Sequence, residues 1–285
     1  MTVEAFFDQA TNTISYILYD QKHGHAALID PVLDFDLKSG TTSTGSADLL
    51  IDFIHTHDLT LDWILETHIH ADHLTAAHYL KEKLGAKIAV SEHIKIVQEN
   101  FKNLFNLPQD FEANGADFDL LLKDGQEFNV GSMTIKAIHT PGHTPACVSY
   151  IVDNTAFIGD TIFMPDSGSA RCDFPGGSAT QLYNSIQKIL SLPDDTLLYL
   201  CHDYGCGSKR DIKWQTTVAE EKKNNIHFKN NTSAEHYIKM RETRDAELSV
   251  PDLLLPAIQV NIHAGKLPKP EDNGLAYLKI PLNGL

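Results

Sequence analysis

Residues 66–78, ETHIHADHLTAAH, place four histidines and an aspartate within one short segment. Neutral imidazole and ionised carboxylate are the donors that zinc and ferrous iron take from a protein. His68 and His70 are two apart, so in extended chain their rings point the same way, and Asp72 and His73 follow at the turn. Three more donors stand further along, each beside a loop signal: His143 in HTPGHT, Asp160 in FIGD and His202 in YLCHD. A single histidine at a strand end is more often hydrogen-bonded or exposed than a ligand. HxHxDH with three distant partners is poorly explained that way and points to a metal site, provided the fold brings separate strand ends to one rim. His55, His57, His78 and His93 read as helix-surface or packing residues. His139 either has no part in the site or orients the loop before His143 through a hydrogen bond.

The donors follow apolar runs of strand length. TISYILYD and HAALIDP read as strands joined by a turn at DQKHG, and LDWILET as the strand that delivers the histidine cluster. A Thr/Ser/Gly-rich loop precedes a helix over SADLLIDFIHTH, with Leu49, Leu50, Phe53 and Ile54 at helical spacing and Ser46 as its N-cap. HLTAAHYLKEKLG reads as a helix stopped by Gly85, AKIAVS as a strand and EHIKIVQENF as a helix. The pattern then restarts with three strands, GSMTIKAIH, CVSYIV and TAFIGD, the last two turning at Asp153-Asn154. A helix over SATQLYNSIQKIL follows, with Ser178 and Gln181 in capping-box positions, then a strand TLLYLCHD and a helix IKWQTTVAEEKK. Two rounds of strands followed by helices predict two α+β halves, roughly 1–125 and 126–205, with a helix-and-loop extension over 206–285, all one domain of 1–285 with sheets inside and helices outside.

The chain has 285 residues, 42% of them hydrophobic, which is enough for one large core or two modest ones. A formal net charge of −15 argues against nucleic acid or an anionic membrane as partner and requires local cations for any anionic substrate. No run reaches membrane-helix length, and the N-terminus lacks a basic and apolar leader. The four cysteines form no CxxC pair, so free thiols and a cytoplasmic location are expected.

HxHxDH, then PGHT, then GD, then a late histidine together resemble the metallo-β-lactamase superfamily, with all seven usual ligand positions filled. The resemblance implies an α/β fold, an αβ/βα four-layer sandwich of two mixed β-sheets flanked by helices, with metals at one edge. By that motif alone the chain resembles a dinuclear-zinc glyoxalase II, a glutathione thioester hydrolase. DTIFMPDSGSARCDFPGG adds an Arg-x-Asp-Phe followed by Gly-Gly, where a glyoxalase II usually has a cysteine/glycine-rich turn. With HDYGCGSKRDIKWQTTVAEEKKNN and the tail NGLAYLKIPLN, it resembles the persulfide dioxygenases of the longer bacterial type.

That second resemblance implies one Fe(II) per chain, held by His68, His143 and Asp160 as a triad of two histidines and a carboxylate with positions left open. His70, Asp72, His73 and His202 would then orient ligands and hold waters, or bind a second metal if the hydrolase likeness prevails. It implies glutathione persulfide and O₂ as substrates, and sulfite and glutathione as products. Arg171 is the expected carboxylate anchor or a salt-bridge partner of Asp173, and Tyr204 either offers its hydroxyl to the peptide or packs. Lys279 would reach the site from the tail. Lys209, Arg210 and Lys213 read as a solvated basic face, and Cys172 as a small residue of the pocket wall. A homodimer is common for the resembled fold. The remaining alternative is a metal-stabilised thiol-binding module without turnover.

Overall fold

The computed structural model describes residues 1–229 and 231–284. The first sheet begins with the hairpin of β1 (Thr2–Asp8) and β2 (Thr13–Tyr19), whose turn is closed by Thr11 donating through N and Oγ1 to the Asp8 carboxylate at 2.8 and 2.6 Å. It continues through β3 (His25–Ile29), β6 (Thr60–Leu65), β8 (Lys87–Ser91) and β9 (Leu120–Leu122) in the order β1-β2-β3-β6-β8-β9. β4 (Val32–Asp36), β5 (Thr41–Ser43) and β7 (Leu74–Thr75) make a small sheet beside it. The helices of this half are α1 (Gly45–Thr56), α2 (Ala77–Leu84) and α3 (Ile94–Leu104).

The second sheet runs in sequence order: β10 (Glu127–Val130), β11 (Met133–His139), β12 (Val148–Val152), β13 (Thr155–Phe157), β14 (Leu197–Tyr199) and β15 (Gln215–Thr217). Its helices are α4 (Ala179–Leu190), the single turn α5 (Gly205–Ser208), α6 (Val218–Asn224) and α7 (Ala234–Asp245). A last helix, α8 (Leu254–Asn261), returns to the first half.

Strand periodicity builds the layers. Along β2, Ile17 faces the helical side, where it joins Leu50, Leu80, Val97 and, from α8, Ile258. Its neighbours Tyr16 and Leu18 face inward with Ile135, Val148 and Tyr150 of the second sheet. Ala156 and Leu198 point to the far side, against Leu182 and Ile186 of α4 and Tyr237 of α7. These three clusters fill the gaps between four layers, helices, sheet, sheet, helices, which is the expected αβ/βα sandwich. Both faces of the central strands are covered, which is why TISYILY reads as a nearly continuous apolar run. Emptying one such position, for instance Ile17→Ala, costs about 2–5 kcal/mol.

Several local expectations change. Ser46 is not the cap of α1. It sits inside the first turn, and its N–H and Oγ both donate to Asp34 of β4, so a carboxylate from the neighbouring strand takes the helix's bare donor. Leu49 is 62% exposed, and Ala47, Leu50 and Ile54 form the buried stripe instead. The Thr/Ser/Gly-rich loop before α1 contains β5, which pairs with β4 ahead of it. The segment IKWQTTVAEEKK is half strand: β15 pairs with β14 before Thr217 caps α6 by accepting from Glu220 N at 3.1 Å. The second sheet therefore extends past residue 205 into what reads from sequence as a helix-and-loop extension. Ser178 caps α4 as expected, accepting from Gln181 N at 3.3 Å, and Gly85 closes α2 at φ 74°.

Candidate metal centre

Strand register decides what meets at the rim. β13 and β14 are parallel with Ala156 opposite Leu198, so Asp160 and His202, each four residues further on, emerge side by side. Asp160 Oδ1 stands 3.5 Å from His202 Nε2. β3 and β6 are also parallel, with Ile29 opposite Leu65, which brings Asp30 level with the start of the histidine segment. That segment is not extended; residues 66–73 form a tight loop between β6 and β7. The loop brings the His68 and His70 ring centres to 4.0 Å and those of His70 and His73 to 4.2 Å, the rings tilted by 51° and 38°.

Two glycines allow this closeness. Gly159 has φ 51°, and a Cβ there would come within 2.6 Å of Thr67 Oγ1, so Asp160 reaches the histidine loop only past a bare backbone. Gly142 of PGHT has φ 145° and lies against α4, where a Cβ would meet Leu182 N at 2.3 Å.

Each imidazole is held by one nitrogen. His143 Nδ1 donates to the Arg171 carbonyl at 2.7 Å. His68 Nδ1 lies 3.0 Å from Thr67 Oγ1, which itself donates to Asp30 at 2.7 Å. His70 Nε2 donates to Asp30 Oδ1 at 3.0 Å, and His202 Nδ1 to the Asn12 carbonyl at 3.2 Å. His73 Nδ1 lies 3.3 Å from Thr13 Oγ1. The opposite nitrogens of His68, His70, His73 and His202, with Asp72 Oδ2 and Asp160 Oδ1, are buried without a partner among the described residues. Unpartnered buried polar atoms are costly, and six of them gathered at one rim is the signature of a cation site.

Four groups of three donors lie close together among the described residues, two of them being His70, Cys201 and His202, and Asp30, Glu66 and His70. His68, His143 and Asp160 offer atoms within 4.8 Å of one another, and so do His70, Asp72 and His73. Ligation needs neutral imidazole and ionised carboxylate, and His68 and Asp72 are biased that way. At His70, by contrast, burial is outweighed by Asp30 and Glu66, and at His202 by Asp160 and Asp72, so that both imidazoles are raised. Burial, then the neighbouring His70 and His143, pushes His68 well below the ordinary imidazole value. Burial alone would raise Asp72, but His202 and His73 outweigh it and hold it well below the usual carboxylate range.

The site opens into a cleft of about 350 Å³. Asp72, His143, Asp160 and His202 stand in its wall with Phe163, Phe174, Arg171 and Tyr204. Arg171 is committed: Nε and one terminal nitrogen fork onto Asp173 at 2.7 and 2.6 Å, the other terminal nitrogen reaches the Ser249 carbonyl at 2.7 Å, and its plane lies 5.2 Å from the Phe174 ring. Tyr204 stacks beside His202 and is 47% exposed.

Other residues at the site are settled differently, some against expectation and His139 by one of its two readings. Lys279 does not reach the cleft; its Nζ donates to the carbonyls of Phe105 and Asn106 at 3.1 and 2.9 Å, where the end of α3 attracts a cation. Arg210 is no solvated charge. It bridges Asp166 and the fully buried Asp203, locking the segment that carries His202. His139 donates from Nε2 to the Leu122 carbonyl at 3.0 Å and has no bond to the His143 loop. Cys172 is in the core beneath the cleft, its thiol pushed up to about 12 by burial and Asp245.

Sequence reading missed Asp30 and Asn261. Asp30 ends an apolar strand before a proline at φ 49°, a faint signal that such an acid has a fixed job. Asn261, in α8, donates to the carbonyls of His70 and His73 at 2.9 and 2.8 Å and accepts from Thr75 N at 2.9 Å; nothing in its neighbourhood advertises this.

The family model described as the metallo-beta-lactamase superfamily matches residues 11–202, which contain all seven donors. The chain belongs to the metallo-beta-lactamase superfamily. Within it, the chain is 52% identical over 295 residues to a probable metallo-hydrolase of Burkholderia pseudomallei strain 1710b, covering 100% of each. It is 50% identical over 285 residues to glyoxylase B2 of Dictyostelium discoideum, covering 99% of this chain and 97% of that one. It is 32% identical over 202 residues to the human mitochondrial persulfide dioxygenase ETHE1, covering 70% of this chain and 66% of that one. Among solved structures of the superfamily, ETHE1 from Myxococcus xanthus superposes with a TM-score of 0.74 at 30% identity, over 93% of this chain and 100% of that one. No helix among the described residues is long and apolar enough to cross a membrane.

Proposed function

We propose that this superfamily member is a persulfide dioxygenase that oxidises glutathione persulfide with O₂ and water to sulfite and glutathione at a single iron. The observation that carries the reading is the triad of His68, His143 and Asp160, two imidazoles and one carboxylate within 4.8 Å. Ferrous iron in such a triad supplies open coordination positions and an electron for O₂, which zinc does not.

The chain's own groups do the rest. His143 is aimed by its bond to Arg171 O, and His68 by Thr67, whose hydroxyl is anchored on Asp30. His202 Nε2 and Asp72 Oδ2 face each other at 3.2 Å, and on this reading the second donor set, with His70 and His73, orients ligands and water without a second metal. Phe163 and Phe174 exclude water around the sulfur, and the Arg171–Asp173 pair fixes the wall on which the substrate lies. Tyr204, about half exposed, offers its hydroxyl to the peptide, and partial desolvation at the cleft, then the nearby Asp160 and Asp72, disfavour its phenolate. The same reading treats residues 1–285 as one domain, because α8 both packs on the first sheet and holds the histidine loop.

A dinuclear hydrolase acting on glutathione thioesters is the second reading. It is supported by the unpartnered nitrogens of His70 and His73 and by relatives at 50% identity or above that bear hydrolase or glyoxylase names. Metal analysis joined to two assays separates them. The first reading expects iron at about one per chain, with O₂ uptake and sulfite release on glutathione persulfide. About two zincs per chain with cleavage of S-lactoylglutathione, and no O₂ uptake by the iron-loaded protein, establishes the second.

A further inference from the structure

Three arginines, 171, 241 and 244, line the cleft of a protein whose formal net charge is −15. Two are consumed. Arg171 forks onto Asp173 and reaches Ser249. Arg241, 3% exposed, places Nε and one terminal nitrogen on Asp245 Oδ1 and the other on the Ser169 carbonyl. Arg244 differs. Among the described residues its guanidinium has neither an ion-pair nor a hydrogen-bond partner, although it stands in the same wall as His143 and Asp160. It projects from the last turn of α7, beyond the matched residues 11–202. A basic residue in a last turn commonly does no more than complement the helix's negative end. Here the helix packs against the cleft, and Asp245 beside it is already saturated by Arg241 and by Cys172 N at 2.9 Å. The Arg244 charge is felt inside the fold: burial, then Arg241 and then Arg244 push buried His227 down to about 4.

We propose that Arg244 is the specificity-determining cation of this site and takes a carboxylate of the substrate by a forked ion pair. This rests on the glutathione reading of the cleft. A guanidinium with free donors is the natural partner for a carboxylate, and the sulfur end of a thiol tripeptide belongs with the histidines. Arg171, with its fork filled, shapes the wall and holds the carbonyl that orients His143. Residues after 202 thereby supply what the common part of the fold lacks, a charge that selects the ligand.

The test uses the purified full chain with its metal, and glutathione and glutathione diethyl ester as calorimetric probes. Wild type binds the acid more tightly than the ester. Arg244→Gln weakens the acid about 10- to 100-fold, leaves the ester unchanged, and so abolishes the discrimination; Arg244→Lys restores part of it. Far-ultraviolet dichroism and melting temperature confirm that both variants fold, as expected for an exposed side chain. An Arg244→Gln protein that still discriminates like wild type overturns the proposal, whatever O₂ uptake shows. Glutathione binding that depends on Arg244 without O₂ uptake on the persulfide supports the assignment and sinks the oxygenase reading. A wild type that binds neither probe overturns both.

Discussion

Nδ1 of His143 and the main-chain carbonyl of Arg171 lie 2.7 Å apart. A carbonyl only accepts, so Nδ1 carries a proton and Nε2 is the nitrogen turned toward Asp160, 3.7 Å away. The Arg-x-Asp-Phe segment therefore acts on the metal position through its backbone as well as through its side chains. Replacing His143 with alanine should lower bound iron well below one per chain and O₂ uptake by more than the roughly 10- to 100-fold typical of an outer hydrogen-bond partner. Elemental analysis and an oxygen electrode check it; iron retained at wild-type level would remove His143 from the ligand set.

Asp30 holds Thr67 and His70 from beneath. Asp30→Asn keeps the shape but weakens the anchoring of both, and should weaken metal binding about 10- to 100-fold in chelator competition. An unchanged metal affinity would show that the histidine loop is rigid without it.

Asn261→Ala breaks three buried hydrogen bonds to residues 70–75. About 2–4 kcal/mol of stability should be lost in urea unfolding, and metal affinity should fall with it. Loss of stability without loss of affinity would mean that α8 braces the core and not the site.

Glu221 is buried, one carboxylate oxygen accepting from Asn225 at 2.7 Å and the other unpartnered. Burial pushes its carboxyl up to about 8 against an ordinary 4.5. Between those values the folded chain keeps a proton that the unfolded chain releases, so this group makes stability fall as pH rises from about 4.5 to 8, and has no such effect below 4.5. Glu221→Gln should remove that slope, gaining on the order of a few kcal/mol relative to wild type at pH 8 and little at pH 4.5. Urea unfolding of both proteins at several pH values gives the answer, and a difference that does not change with pH contradicts it.

Cys147, Cys172 and Cys201 are buried and Cys206 is half-buried, all as free thiols. The first two have thiols pushed up to about 12 by burial. Only Cys206 should react quickly with a thiol reagent in the native protein, with the other three appearing on unfolding. Fast labelling of Cys172 would reopen a sulfur-carrying role for it.

What could be read from the sequence was chemistry with a fixed spacing. HxHxDH, PGHT, GD and the late His-Asp need their residue types, and register places Asp160 beside His202 once β13 and β14 pair in parallel. Partners chosen by tertiary topology left little local trace. Asp30 looks like any acid ending a strand, Asn261 like any helix residue, and Arg244 like a solvated charge. β15 was hidden because three residues carry no periodicity and the VAEEKK beyond it is strongly helical. Lys279 went elsewhere because the end of α3 offered two bare carbonyls nearer by.

Asn261 has a consequence for how the centre comes into being. The loop that carries His70 and His73 is tied off by an amide that is translated 191 and 188 residues after them. Until then the histidines have their strand but no lock, so a nascent chain is poorly suited to retain an ion. Stable loading should therefore wait until α8 has been made, and ribosome-stalled chains ending before α8 should leave the metal in solution.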